Sequence, residues 1–193
     1  MKTLVVGLGN PILTDDGVGV RAAWALARLL HSRKGNGSHN GRAELTAVME
    51  GLHAEFDNSP ASAAITVTEA SVGGLRLMEL MIGYDRVIIM DAMMVNKGLG
   101  AGSIHRLTLD DLAEISPTQH SASAHDTTLI TALASGQQLG FHLPEEVVIY
   151  AVEVENVLDF SEEPTTAVAA AIPEMVTAVL AELQIADYRL PNE

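Results

Sequence analysis

Apolar residues along this chain fall into two alternating rhythms. Leu4-Val5-Val6 is a short continuous run closed by Gly7, and from Gly17 the stretch VGVRAAWALARLL sets Val20, Ala23, Trp24, Ala27 and Leu30 at helical spacing. This predicts a strand, a loop and a helix. Ile65-Thr66-Val67-Thr68 alternates with period two, as a strand does, and VGGLRLMELMIGY repeats Leu and Met at helical intervals. Arg86-Val87-Ile88-Ile89-Met90-Asp91 is almost unbroken in its apolarity, the pattern of a central strand buried on both faces. SIHRLTL predicts a strand antiparallel to its neighbours, SAHDTTLITALASGQQLG a helix closed by Gly140, and EEVVIYAVEV another strand. PTTAVAAAIPEMVTAVLAELQ predicts a long C-terminal helix that Pro173 should kink or split.

Strands alternating with helices imply right-handed crossovers. The expected fold class is therefore α/β, a three-layer sandwich with a twisted, mostly parallel central sheet and helices on both faces. The rhythm breaks once. Residues 32–42 (SRKGNGSHNGR) mix Gly, Asn, Ser and basic side chains without periodicity, and we read about 32–63 as a flexible insertion with a short helix in AELTAVMEGLHAEF. Length allows one sizeable core, so residues 1–193 are expected to form a single domain.

Composition narrows the chemistry. With no cysteine, strong metal ligands must come from His, Asp and Glu. A formal charge of −14, from 25 acidic and 11 basic residues, opposes nucleic acid as a partner and favours a neutral or basic protein. No run of about 18 apolar residues suggests a membrane span, and the N-terminus lacks the features of a signal peptide. A cytoplasmic protein is the default expectation.

In open parallel sheets, reactive groups collect at the carboxyl ends of the strands. Asp16, in GLGNPILTDDG, follows the first strand; Asp91 ends the apolar run; His125-Asp126 opens the next helix after SASA. Two carboxylates and an imidazole on separate loops of one rim suit a borderline divalent cation such as nickel or zinc. Each has an ordinary use too: Asp15 or Asp16 as a helix cap, Asp91 bonding to loop amides, His125 packing, and Asp126 as a cap. His120 competes with His125 as ligand, whereas His31, His39, His53, His105 and His142 carry little information. The acids of AVEVENVLDFSEEPTTAV form either a solvated loop or a docking segment.

GLGNPILTDDGVGV, RVIIMDAM and HDTTLITAL, in that order, together resemble the hydrogenase maturation endopeptidases. The resemblance spans most of the chain, the stretch at about 32–63 excepted. Such enzymes trim the C-terminal extension from the large-subunit precursor of nickel-iron hydrogenases after nickel insertion, using the precursor's nickel as the recognition key. The resemblance implies Asp16, Asp91 and His125 as metal ligands and catalytic groups, with His120 as a substitute ligand. Asp15, beside Asp16, is a candidate to orient the ligands. It implies nickel supplied by the substrate, a hydrogenase precursor as partner, and a filing with aspartic-type endopeptidases. The Asp-Thr-Gly and Asp-Ser-Gly signatures of a shared-proton dyad are absent.

Three rival readings stand beside this one. A dinucleotide site fails because the third glycine of GxGxxG falls on Ile12 and two aspartates would repel a pyrophosphate. Peptidyl-tRNA hydrolase resembles VGLGNP at its N-terminus but needs a basic surface. A nickel-dependent chaperone that inspects the precursor without cutting it is the non-enzymatic alternative.

Overall fold

The computed structural model describes residues 1–34, 53–58, 63–94, 100–115 and 126–184. In chain order its elements are β1 (Lys2–Leu8), α1 (Val18–Lys34), β2 (His53–Asn58), β3 (Ala63–Ala70), α2 (Gly74–Met81), β4 (Arg86–Met93), β5 (Ile104–Thr108), α3 (Leu109–Ile115), α4 (Asp126–Gln138), β6 (Glu146–Glu153) and α5 (Thr166–Glu182). One six-stranded sheet runs in the order β2-β3-β1-β4-β6-β5. Its four inner strands are parallel, and β2 and β5 close the two edges antiparallel.

The expected α/β sandwich is observed. All eight residues of β4 are buried, as its unbroken apolar sequence requires of a strand covered on both faces. One face packs α1 and α5 onto Val5, Val67, Ile88, Met90 and Val152; the other packs α2, α3 and α4 onto Leu4, Val6, Ile89 and Ile149. Leu26, Leu77, Met81 and Met175 are sealed from solvent, and each such side chain contributes about 1.5–3 kcal/mol by burial. Among the described residues, no helix is long and apolar enough to cross a membrane.

Two expectations change. In the stretch read as an insertion, α1 runs on to Lys34 and His53–Asn58 form β2, paired in antiparallel register with β3. The helix expected in AELTAVMEGLHAEF therefore does not include residues 53–56; residues 43–52 lie outside those described. Pairing with the open edge of β3 satisfies a row of backbone donors and acceptors, and that tertiary gain overrides local helical spacing. Pro173 does not split the last helix, which is continuous from Thr166 to Glu182.

The strands' amino ends carry a polar network. Arg86 pairs with Glu146 at 2.8 Å and with Glu182, which also accepts from Arg106 (2.8 Å) and from the Tyr150 hydroxyl (2.8 Å). Hydrogen bonding from Arg106, with the positive charges of Arg106 and Arg86, holds the Glu182 carboxyl down at about 2. Burial, then the bond to Glu182, pushes the Tyr150 phenol up. This network locks the end of α5 onto the sheet, opposite the edge where the candidate chemistry lies.

Candidate active site at the carboxyl edge of the sheet

The first loop is built by close approach. Gly19, in the first turn of α1, lies so near the ends of β1 and β4 that a Cβ there would sit 2.2 Å from the Met90 carbonyl oxygen and 2.5 Å from that of Leu8. Gly9 has a φ of +126°, and a Cβ on it would meet the Asp16 carbonyl oxygen at 1.9 Å. Only glycine permits this corner. Because β1 and β4 are hydrogen-bonded parallel neighbours, the loop leaving β1 and the end of β4 open onto the same edge.

The two adjacent aspartates diverge. Asp15 is fully buried, and its carboxylate points across to the loop between β6 and α5. It accepts from the Thr165 backbone N–H (2.7 Å), the Thr165 hydroxyl (3.2 Å) and the Asn156 N–H (3.2 Å). Thr165 is the N-cap residue of α5, so the charge also sits at the positive end of that helix dipole. Asp15 thus acts as a scaffold that ties the first loop to the loop before α5. Asp16 stays half-buried, and its Oδ2 accepts the Asn10 N–H at 2.7 Å, which fixes it at the corner.

Asp91 lies inside β4, two residues before its end, and is 5% exposed. Its Oδ1 accepts the N–H of Ala92 at 2.8 Å. It lines a crevice with Leu8, Leu77, Ile89, Leu112, Leu129 and Ile149, so this carboxylate has apolar walls. His125 and its competitor His120 lie outside the described residues, as do residues 116–125 altogether. The described part of α4 begins at Asp126. Among the described residues, no three His, Asp or Glu side chains converge as a cation site.

One further pair faces the Asp91 side of the sheet. His105, expected from sequence to carry little information, stands on β5 in register with Ala151, which is itself in register with Asp91. His105 Nε2 lies 3.5 Å from Glu153 Oε2, with both side chains largely buried. Alternation would have revealed it: His105 keeps period two with Leu107, and Glu153 with Ile149 and Ala151, so both share the Asp91 face.

The fold has known counterparts. It is similar to the hydrogenase maturating endopeptidase HybD from E. coli, with a TM-score of 0.64 and 23% identity over 95% of this chain and 93% of that one. It is also similar to the [NiFe] hydrogenase maturation protease HybD from Thermococcus kodakarensis, with a TM-score of 0.58 and 20% identity over 94% of this chain and 99% of that one. The architecture is thus that of the α/β maturation endopeptidases. In sequence, residues 46–182 match the profile of the HycI family, described as hydrogenase maturation protease. The chain belongs to this family of peptide-bond hydrolases. The hydrogenase expression/formation protein HupD of Rhizobium leguminosarum bv. viciae is 24% identical over 179 residues, 92% of this chain and 72% of that protein. The profile match starts at residue 46, so the later part of the expected insertion lies within the family resemblance.

Proposed function

We propose that this protein removes the C-terminal extension of a nickel-iron hydrogenase large-subunit precursor once nickel is installed, with the precursor's nickel as the recognition element. Asp16, Asp91 and His125 are the groups we assign to that nickel and to the reaction. The observation that carries the reading is topological: hydrogen-bonded parallel neighbours β1 and β4 bring the Asp16 loop and Asp91 to one edge, in a chain of the maturation protease family.

The chemistry follows from the donor set. Carboxylate and imidazole suit a borderline cation, and no thiolate competes because the chain has no cysteine. A substrate-borne nickel would polarise the scissile carbonyl or acidify a water. The chain's own part is to hold that centre with carboxylates. One of them takes a proton from the attacking water as its oxygen adds to the carbonyl carbon, and the proton is passed to the departing amine. The apolar walls around Asp91 limit competing water and strengthen each charge interaction there.

The test is to incubate nickel-loaded and nickel-free precursor with the protein and weigh the large subunit by mass spectrometry. Shortening only of the nickel-loaded form is expected, and no shortening of either form would instead fit a non-cleaving chaperone. Should Asp16→Asn, Asp91→Asn and His125→Ala all cleave normally, the site assignment is wrong.

A further inference from the structure

Beside Asp16 the surface breaks the usual rule for large apolar side chains. Leu158 is 84% exposed, Phe160 80% and Ile12 49%, on two loops that lie against each other. Leu13 and Phe160 form an antiparallel bridge, the Ser161 N–H donates to the Ile12 carbonyl at 3.1 Å, and the Thr14 hydroxyl donates to the Asp159 carbonyl at 2.7 Å. Single exposed apolar residues need no explanation. Here three of them ride on a backbone pinned by those bonds and by the buried Asp15 carboxylate, next to the proposed site. A rigid display of this kind has little conformational freedom left to lose on binding.

The charge on the loop that carries Leu158 and Phe160 has one sign. Glu155, Asp159, Glu162 and Glu163 are all exposed, and the sequence holds no Lys or Arg from residue 107 to residue 188. Arg21, which donates to the Pro11 carbonyl at 2.8 Å, is a cation tied to the first loop. Apolar centre and acidic surround together define the complement: an extended segment with apolar side chains flanked by Lys or Arg.

We infer that Ile12, Leu158 and Phe160 form a docking ledge for such a segment of the substrate chain, selected by its basic flanks. The inference rests on the proposed function for the identity of that chain. The ledge holds substrate and touches no reacting atom, so its loss acts on KM and not on kcat.

The experiment compares the wild type with Leu158→Asp/Phe160→Asp and with Glu162→Lys/Glu163→Lys. Cleavage of nickel-loaded precursor gives KM and kcat, and biolayer interferometry gives Kd for nickel-free precursor. Because all four side chains are exposed, the variants should melt with the wild type, which thermal unfolding checks. The apolar pair of changes should raise KM and Kd at least tenfold with kcat within twofold, and the charge reversal should weaken binding at least threefold at low salt. A synthetic peptide of leucines flanked by lysines should compete, and one flanked by glutamates should not.

If KM and Kd stay within twofold of the wild type, the ledge is not a docking site. If sedimentation shows a wild-type dimer that the Leu158→Asp/Phe160→Asp variant lacks, a second copy of this chain occupies the ledge and the inference falls. A wild type that fails to shorten any precursor overturns the proposed function alone, since the Kd comparison still judges the ledge.

Discussion

Replacing Asp15 by Asn removes a charge while keeping the shape of a fully buried side chain. Three donors converge on that carboxylate, at 2.7, 3.2 and 3.2 Å, and hydrogen bonds to a charged group are worth about 1.5–3 kcal/mol each. Asn retains one acceptor oxygen and turns an NH2 toward a remaining donor, so one or two of the three bonds fail. The expected cost is about 2–4 kcal/mol. In a protein of this size each kcal/mol lowers Tm by about 2–4 °C, which gives a fall of roughly 4–16 °C. Asp16→Asn loses part of one half-exposed bond and should cost about 1 kcal/mol or less while suppressing cleavage. Calorimetric melting, with hydrogen exchange at the Asn156 and Thr165 amides, separates the two. An Asp15→Asn protein that melts within 1 °C of the wild type, keeps both amides protected and yet cannot cleave would refute the scaffold role and make Asp15 a reacting group.

Other outcomes follow from the same geometry. Asp91→Asn should leave Tm within a few degrees yet lower kcat by at least a hundredfold, as quantified by mass spectrometry of the cut precursor. Since the Glu182 carboxyl is held down at about 2, its stabilisation is complete above about pH 4.5 and is lost as pH falls toward 2. Glu182→Gln should therefore destabilise at pH 7 by about 3 kcal/mol and flatten the loss of stability between pH 4.5 and 2, read from urea unfolding across pH. Gly19→Ala should cost several kcal/mol or prevent folding, because its Cβ would lie 2.2 Å from a backbone oxygen; a soluble variant with wild-type Tm would contradict that packing.

Periodicity in the sequence was enough to reveal the inner sheet, because buried parallel strands and their crossover helices must each repeat their own rhythm. Edge strand β2 was hidden: HAEFDN alternates only Ala54 and Phe56 with polar residues, too short a run to outweigh the helical spacing before it, and what makes it a strand is its antiparallel pairing with β3, which begins five residues further on. The carboxylates divided similarly. Asp91 was legible because an acid interrupts an otherwise apolar strand. The different fates of Asp15 and Asp16 were not, since adjacent identical residues carry identical local signals. Only the loop before α5 decides which one is taken inside. His105 was legible in principle and missed, since a histidine one step from an arginine hides a period-two pattern that Leu107 completes.

The Asp15 bonds join residues 141 and 150 positions apart in the chain. During synthesis the glycine corner is made almost first, but its partners at Asn156 and Thr165 are among the later residues to emerge. The loop that presents Asp16 therefore stays loosely held until α5 is in place, and closing so long a loop is among the last costs met in folding. For a maturation protease, activity is thereby deferred until the fold is nearly complete.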